Sequence, residues 1–110
     1  MQQQLPTTNP DALCERVEDG TEVTVVDVRQ PYEFERDHIE HPNATVVNLP
    51  LNQLQANDPR ELLDDVPTEN VVTVCASGNR STIGTQLLNR AGVPAKNLQY
   101  GMNGWRRLVC

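Results

Sequence analysis

Apolar and polar positions alternate along the chain with two different periods, and the switches between them mark out a series of elements. The runs Val23-Thr24-Val25-Val26-Asp27-Val28, Thr45-Val46-Val47-Asn48-Leu49 and Val71-Val72-Thr73-Val74-Cys75 are β-branched and almost continuously apolar. All three read as strands, and the first is of the kind covered on both faces. Between them the period lengthens. Asn9-Pro10-Asp11 reads as an N-cap, a proline at the first helical position and an acid in the first turn, predicting a helix to Asp19 that ends at Gly20 and turns Leu13 and Val17 inward. A short helix is predicted around Tyr32 to Asp37. Residues 51–66 predict two short helices split by Pro59, the second built on Leu62, Leu63 and Val66. From Ser81 to Ala91 a further helix is predicted, with Ile83, Leu87, Leu88 and Ala91 as its apolar stripe and Gly92 as its stop. Asn97 to Tyr100 read as a last short strand, and Asn103 to Leu108 as closing helical turns carrying Trp105. Residues 1–8 are polar and predict a flexible lead into a single domain over residues 9–110. Strands alternating with helices imply an α/β sandwich with a mainly parallel central sheet of about five strands.

Composition narrows this picture. With 110 residues, 37% hydrophobic and 22% charged, the chain suits one modest core and lies outside the charge-rich signature of disorder. No stretch approaches the roughly 18 apolar residues of a membrane span. Met1-Gln2-Gln3-Gln4 lacks the basic and apolar regions of a signal peptide, so no membrane partner and a cytoplasmic location are expected. Cys14, Cys75 and Cys110 are odd in number and widely spaced, which argues against a disulfide framework or a zinc pattern. Cys14 is expected as a buried or half-buried thiol and Cys110 as an exposed terminal one, with a sulfur-accepting role for Cys110 as the rarer alternative. Only His38 and His41 accompany these cysteines, and no metal and no cofactor are expected.

The charge of -6 is unevenly placed. All fifteen acids lie in residues 1–70, whereas residues 71–110 carry Arg80, Arg90, Lys96, Arg106 and Arg107 without one carboxylate. A site built there can offer donors to a small anion. Nucleic acid is an improbable partner, because an acidic protein without a dense basic patch repels a polyanion.

The third strand empties into Cys75-Ala76-Ser77-Gly78-Asn79-Arg80-Ser81, just where ligands bind in open α/β sheets. Small residues and a glycine let the backbone curl so that its N–H groups converge, and the helix that follows adds its positive end. Such a field lowers a thiol pKa and favours a reactive thiolate at Cys75. Arg80 either contacts substrate oxygens or braces the loop.

These residues resemble a known family, the rhodanese-like domains, and in particular its single-domain sulfurtransferases. Asp27-Val28-Arg29 with Glu33-Phe34 is similar to the family's D-V-R-x-x-x-E-[FY] segment, and His38-Ile39 with Ala44 to its G-H-I-x-x-A segment. Cys75 to Ser81 resembles the active-site loop C-x-x-G-x-R-S. Leu98, Gly101, Gly104 and Trp105 resemble the closing L-x-G-G-x-x-[GA]-W. Asp37 and Tyr100 stand where the family usually has glycine, and His41-Pro42-Asn43 lengthens one loop. The resemblance implies a three-layer sandwich, Cys75 as sulfur-carrying nucleophile, and residues 76–81 as the anion-binding loop. For Asp27, Arg29, Glu33 and His38 it implies a framework role, Arg29 pairing with Glu33 or Asp27. The implied partners are a small anionic sulfur donor and a thiol or protein acceptor. The rival readings are a protein-specific sulfur carrier and a cysteine phosphatase or arsenate reductase. The phosphatases' C-x5-R loop is one residue longer than Cys75 to Arg80.

Overall fold

A computed structural model describes residues 5–110; the first half of the lead expected to be flexible, residues 1–4, lies outside them. Eleven elements follow in the order β1 (Thr7–Thr8), α1 (Pro10–Glu18), β2 (Val23–Asp27), α2 (Pro31–Arg36), β3 (Ala44–Asn48), α3 (Leu51–Ala56), α4 (Pro59–Leu62), β4 (Val71–Val74), α5 (Asn79–Arg90), β5 (Ala95–Leu98) and α6 (Gly101–Trp105). The five strands among the described residues form one sheet in the order β1-β5-β4-β2-β3, and every pairing is parallel. Thr7 and Thr8 were expected to fray. Instead they add an edge strand to β5, opposite Asn97 and Leu98, because the exposed backbone edge of β5 offers them hydrogen-bond partners.

Alternation along the buried strands divides the core into two layers. Val23 and Val25 of β2 and Val72 and Val74 of β4 meet Leu13 and Val17 of α1 and Met102 of α6 on one face. Val26, Val71 and Cys75 meet Leu54 of α3 and Leu88 of α5 on the other. The expected cap is present: the Asn9 side chain accepts from the Ala12 N–H at 2.9 Å. Pro59 does divide the long segment between β3 and β4 into two helices.

Two further expectations are overturned. In α5 the buried residues are Ser81, Gly84, Thr85 and Leu88, while Ile83 is 42% exposed. The helix turns hydroxyls inward because the strand it covers presents Thr73, whose own hydroxyl is partnered by that of Thr85. The second correction concerns cysteine. Cys14 and Cys110, expected as separate thiols, are joined in a disulfide, leaving Cys75 free. The chain after α6 returns to α1 and brings the two Cα atoms to 6.0 Å, within bonding reach. A persistent disulfide belongs to an oxidising setting, so cysteine usage lends no support to a reducing compartment. No helix among the described residues is long and apolar enough to cross a membrane.

Candidate active site

The carboxyl end of β4 carries the expected loop. Strand pairing stops at Val74, and Cys75 begins the turn with its side chain 1% exposed. Gly78 takes φ +105°, a left-handed conformation that a side chain would strain, and so caps α5. That turn aims the Gly78 N–H at Cys75 Sγ, 3.0 Å away. Ser81, one turn into α5, places its hydroxyl 3.3 Å from the same sulfur. Burial pushes the Cys75 thiol up, but the Ser81 hydroxyl and the Ser81, Gly78 and Ser77 amides outweigh it and hold the pKa below the ordinary thiol value. The result is a dry cradle of neutral dipoles around one sulfur, able to hold a thiolate.

The last helix secures the loop from outside. Tyr100 and Gly101 turn the chain back through consecutive left-handed conformations. The Met102 N–H then donates to the Cys75 carbonyl at 2.8 Å and the Asn103 N–H to that of Ala76 at 3.0 Å. Gly101 is required there: a Cβ would run into the Cys75 carbonyl oxygen and lie 2.8 Å from the Ala76 carbonyl carbon.

The hydrogen bonds of the Arg80 guanidinium go to Glu33 and not to the sulfur. The guanidinium grips Glu33 at both oxygens, 2.7 and 3.0 Å, so it braces the loop against α2. The Arg80 guanidinium holds the Glu33 carboxyl down to about 2 from the usual 4.5. Arg29 pairs with Asp27, not Glu33: Nε to Oδ1 is 2.9 Å and Nη2 to Oδ2 is 2.8 Å, with both side chains at most 2% exposed. Asp37, at a position usually glycine in the resembling family, is occupied by Arg106, whose Nε and Nη2 lie 2.6 and 2.9 Å from its carboxylate. His38 stacks on Phe34 and hydrogen-bonds its carbonyl through Nδ1 at 2.9 Å. It has no contact with the cradle among the described residues.

One residue at the site carried no sequence signal. Asn97 of β5, 6% exposed, accepts from the Ser81 hydroxyl and donates to the Gly78 carbonyl at 3.2 Å. It thus ties both sulfur-facing donors to the sheet. The Ser81 hydroxyl has one proton and two acceptors, Cys75 Sγ and Asn97 Oδ1. It can donate to a thiolate, or donate to Asn97 while receiving the proton of a thiol. A shallow cavity of about 240 Å³ opens over this loop beside Ser77 and Asn79, and a larger one of about 570 Å³ lies between Ser77 and α1.

The model of the rhodanese-like domain matches residues 9–108. A candidate mitochondrial thiosulfate sulfurtransferase of Schizosaccharomyces pombe is 30% identical over 104 residues, 84% of this chain and 68% of that protein. YrkF of Bacillus subtilis, a candidate sulfur carrier protein, is 26% identical over 104 residues, 92% of this chain and 51% of that one. The crystal structure of a rhodanese-like domain protein from Staphylococcus aureus superposes with a TM-score of 0.73 at 26% identity, covering 92% of this chain and 91% of that one. For three of the curated relatives the chain spans 51%, 44% and 22% of their length.

Proposed function

The chain belongs to the rhodanese-like domain family, and on that premise we propose that it moves sulfane sulfur from thiosulfate or a similar anionic donor to a thiophilic acceptor through a persulfide on Cys75. The observation that carries this reading is the convergence of the Gly78 N–H and the Ser81 hydroxyl on one buried sulfur, with a thiol pKa held down by them. The Cys75 thiolate attacks the outer sulfur of thiosulfate, the sulfur–sulfur bond of the donor breaks, and sulfite leaves with its electron pair. Negative charge passes to the outer sulfur of the persulfide, which the loop amides then hold. An acceptor thiolate then takes that sulfur and returns Cys75 to its starting state. Residues 76–81 supply the backbone of the cradle, while Arg80 acts through Glu33 as a positioning residue. The Asp27–Arg29 pair and His38 hold the frame. No cofactor enters this chemistry, because the cysteine is itself the carrier.

A second reading has its own support: a carrier that delivers sulfur to one protein partner and turns over small donors slowly. Cys75 is 1% exposed, and a relative is named as a candidate sulfur carrier. One experiment separates the two. Reduced protein is mixed with thiosulfate, and sulfite release and the protein mass are followed, with Cys75→Ser as control. Stoichiometric sulfite with the gain of one sulfur atom, both absent in the variant, is the expected result. No gain with thiosulfate but a gain from a persulfidated protein donor favours the carrier, and no gain from either overturns sulfur transfer through Cys75.

A further inference from the structure

Cys14 and Glu18 stand four positions apart on one face of α1, and the chain after α6 brings Cys110 to them, with the two cysteine Cα atoms 6.0 Å apart. Cys110 Sγ lies 3.7 Å from Glu18 Oε1. Both sulfurs and a Glu18 carboxylate oxygen fall within 4.8 Å of one another. Residues 41–43, which lengthen their loop against the family pattern, add a fourth group. The Asn43 side chain donates to the Val17 carbonyl at 2.8 Å and docks the loop on the end of α1. The Asn43 backbone N–H donates to His41 Nδ1 at 3.1 Å. A neutral His41 ring therefore carries its proton on Nε2, which faces Glu18 Oε1 at 3.5 Å. Sulfur transfer through Cys75 uses none of these four side chains.

Oxidised, the cysteine pair is a cross-link; reduced, it is a donor set. A dithiol supplies two electrons and two protons, closes to its own disulfide, and leaves two thiols beside the Glu18 carboxylate. Two thiolates and a carboxylate this close repel one another. His41 is the one basic side chain within 4.0 Å of Glu18 among the described residues, and a divalent cation at the centre of the group removes the repulsion. The spacing suits zinc. Tetrahedral Zn–S bonds of about 2.3 Å hold two thiolates about 3.8 Å apart, a separation that side-chain rotation reaches over Cα atoms 6.0 Å apart. Thiolate donors also select zinc over magnesium and calcium.

We propose that Cys14, Cys110 and Glu18 bind one zinc ion once the disulfide is reduced, with a water in the fourth position. Both thiol protons pass to solvent as the metal binds. His41 does not ligate, because Nδ1 is taken by the Asn43 N–H; its Nε2 proton orients the Glu18 carboxylate from outside the metal's own shell. The chain end is then pinned to α1 in either redox state, by a sulfur–sulfur bond or by the metal. This bears on the Cys75 loop, since α6, whose Met102 and Asn103 amides hold the Cys75 and Ala76 carbonyls, lies just before the pinned tail. No metal was expected from the spacing of the cysteines, because the 96 positions between Cys14 and Cys110 conceal a group that only the fold assembles. The site stands apart from the persulfide reading of Cys75.

The test titrates zinc chloride into the protein before and after reduction, in competition with a chromophoric chelator. The dithiol is first removed by gel filtration in the absence of oxygen. One equivalent of zinc is expected in the reduced protein and none in the oxidised. Zinc is also expected to raise the melting temperature of the reduced protein and to leave that of the oxidised protein unchanged. Cobalt(II), used as a spectroscopic probe, is expected to give the intense visible bands of a tetrahedral site and charge-transfer absorption from two thiolates. The same uptake in Cys75→Ser assigns those thiolates to Cys14 and Cys110. Glu18→Gln, which keeps both cysteines and the disulfide, is expected to weaken zinc binding by at least about tenfold, and His41→Gln by about tenfold, the usual effect of losing a partner that orients a ligand. No uptake by the reduced protein, equal uptake by the oxidised protein, loss of uptake in Cys75→Ser, or wild-type affinity in Glu18→Gln overturns the proposal. Neither Glu18→Gln nor His41→Gln removes a cysteine, so the result does not depend on a cysteine variant folding.

Discussion

Two buried polar clusters sit side by side at the carboxyl edge of the sheet, on the neighbouring strands β2 and β4, where Asp27 and Val74 are in register. The β2 cluster is made of full charges: Asp27 and Arg29 neutralise each other, and the Asn48 amide binds the backbone carbonyls of both, at 3.0 and 2.9 Å. The β4 cluster is made of dipoles: the Ser77, Gly78 and Ser81 amides and the Ser81 hydroxyl around Cys75, backed by Asn97. Their difference separates frame from site. A buried ion pair is locked, since removing either member strands the other. A dipole cradle tolerates a charge that comes and goes, because its donors are already oriented and lose little when the sulfur is neutral.

Removing the Asp27 carboxylate gives the largest effect. Asp27→Ala leaves the buried Arg29 guanidinium with only the part-exposed Asp37 carboxylate, 3.8 Å away and already shared with Arg106, and a loss of about 3 kcal/mol is expected in urea unfolding. Provided the variant remains folded, alkylation of Cys75 by iodoacetamide is expected to keep its wild-type pH profile, because no member of the β2 cluster donates to the sulfur. A profile displaced as far as the stability would show that the two clusters are one.

Ser81→Ala probes the other side. The thiol loses its hydroxyl donor but keeps its amides, so its pKa is expected to rise toward the ordinary thiol range. Alkylation near neutrality slows by roughly two- to twelvefold, the fold-change of a hydrogen bond worth about 0.5–1.5 kcal/mol. The same substitution leaves Asn97 Oδ1 without its Ser81 donor, at a cost to stability of about 1 kcal/mol. Large in reactivity and small in stability is the reverse of the outcome for Asp27. An unchanged alkylation rate would assign the lowered pKa to the amides alone.

The same contrast explains what was legible in the sequence. Binary patterning locates β2, β3 and β4, because sheet-core strands favour β-branched apolar residues, and Pro and Gly locate most helix ends, whereas the two-residue β1 carries no such pattern. The glycine-bearing turn after the most apolar run locates the cradle. Patterning fails on α5, where Ser81 and Thr85 are buried and Ile83 is not, because the helix packs on a polar core cluster and local rules are broken where a site is built. Asn97 has no motif because its role comes from the register of β5 beside β4. Neither the Glu33–Arg80 pair, spanning 47 positions, nor the disulfide, spanning 96, has a local signature. Asp37, unusual against the family pattern, makes sense only once Arg106 from the far end of the chain is seen beside it.

The Glu33–Arg80 pair ties the loop to α2, and its contribution is the smallest and the most specific in pH. Arg80 is 38% exposed and Glu33 20%, so solvent screening reduces the pair to about 1 kcal/mol of stability. The folded-state pKa of Glu33, about 2, lies below its ordinary 4.5. The unfolded chain therefore takes up the proton first as pH falls. The stabilisation is fully present above 4.5 and disappears as pH drops toward about 2. Glu33→Gln lacks the charge at every pH, so wild type is expected to exceed it by about 1 kcal/mol near neutrality and to converge with it in acid. Sulfur uptake at Cys75 is expected to slow only modestly in the variant, because Arg80 braces the loop without touching the sulfur. A gap in stability that persists undiminished in acid would mean that the contribution does not come from the Glu33 charge, since glutamine keeps the oxygen that caps the Gln30 N–H. A collapse of sulfur uptake at neutral pH would mean that Arg80, released from Glu33, obstructs the cradle it normally frames.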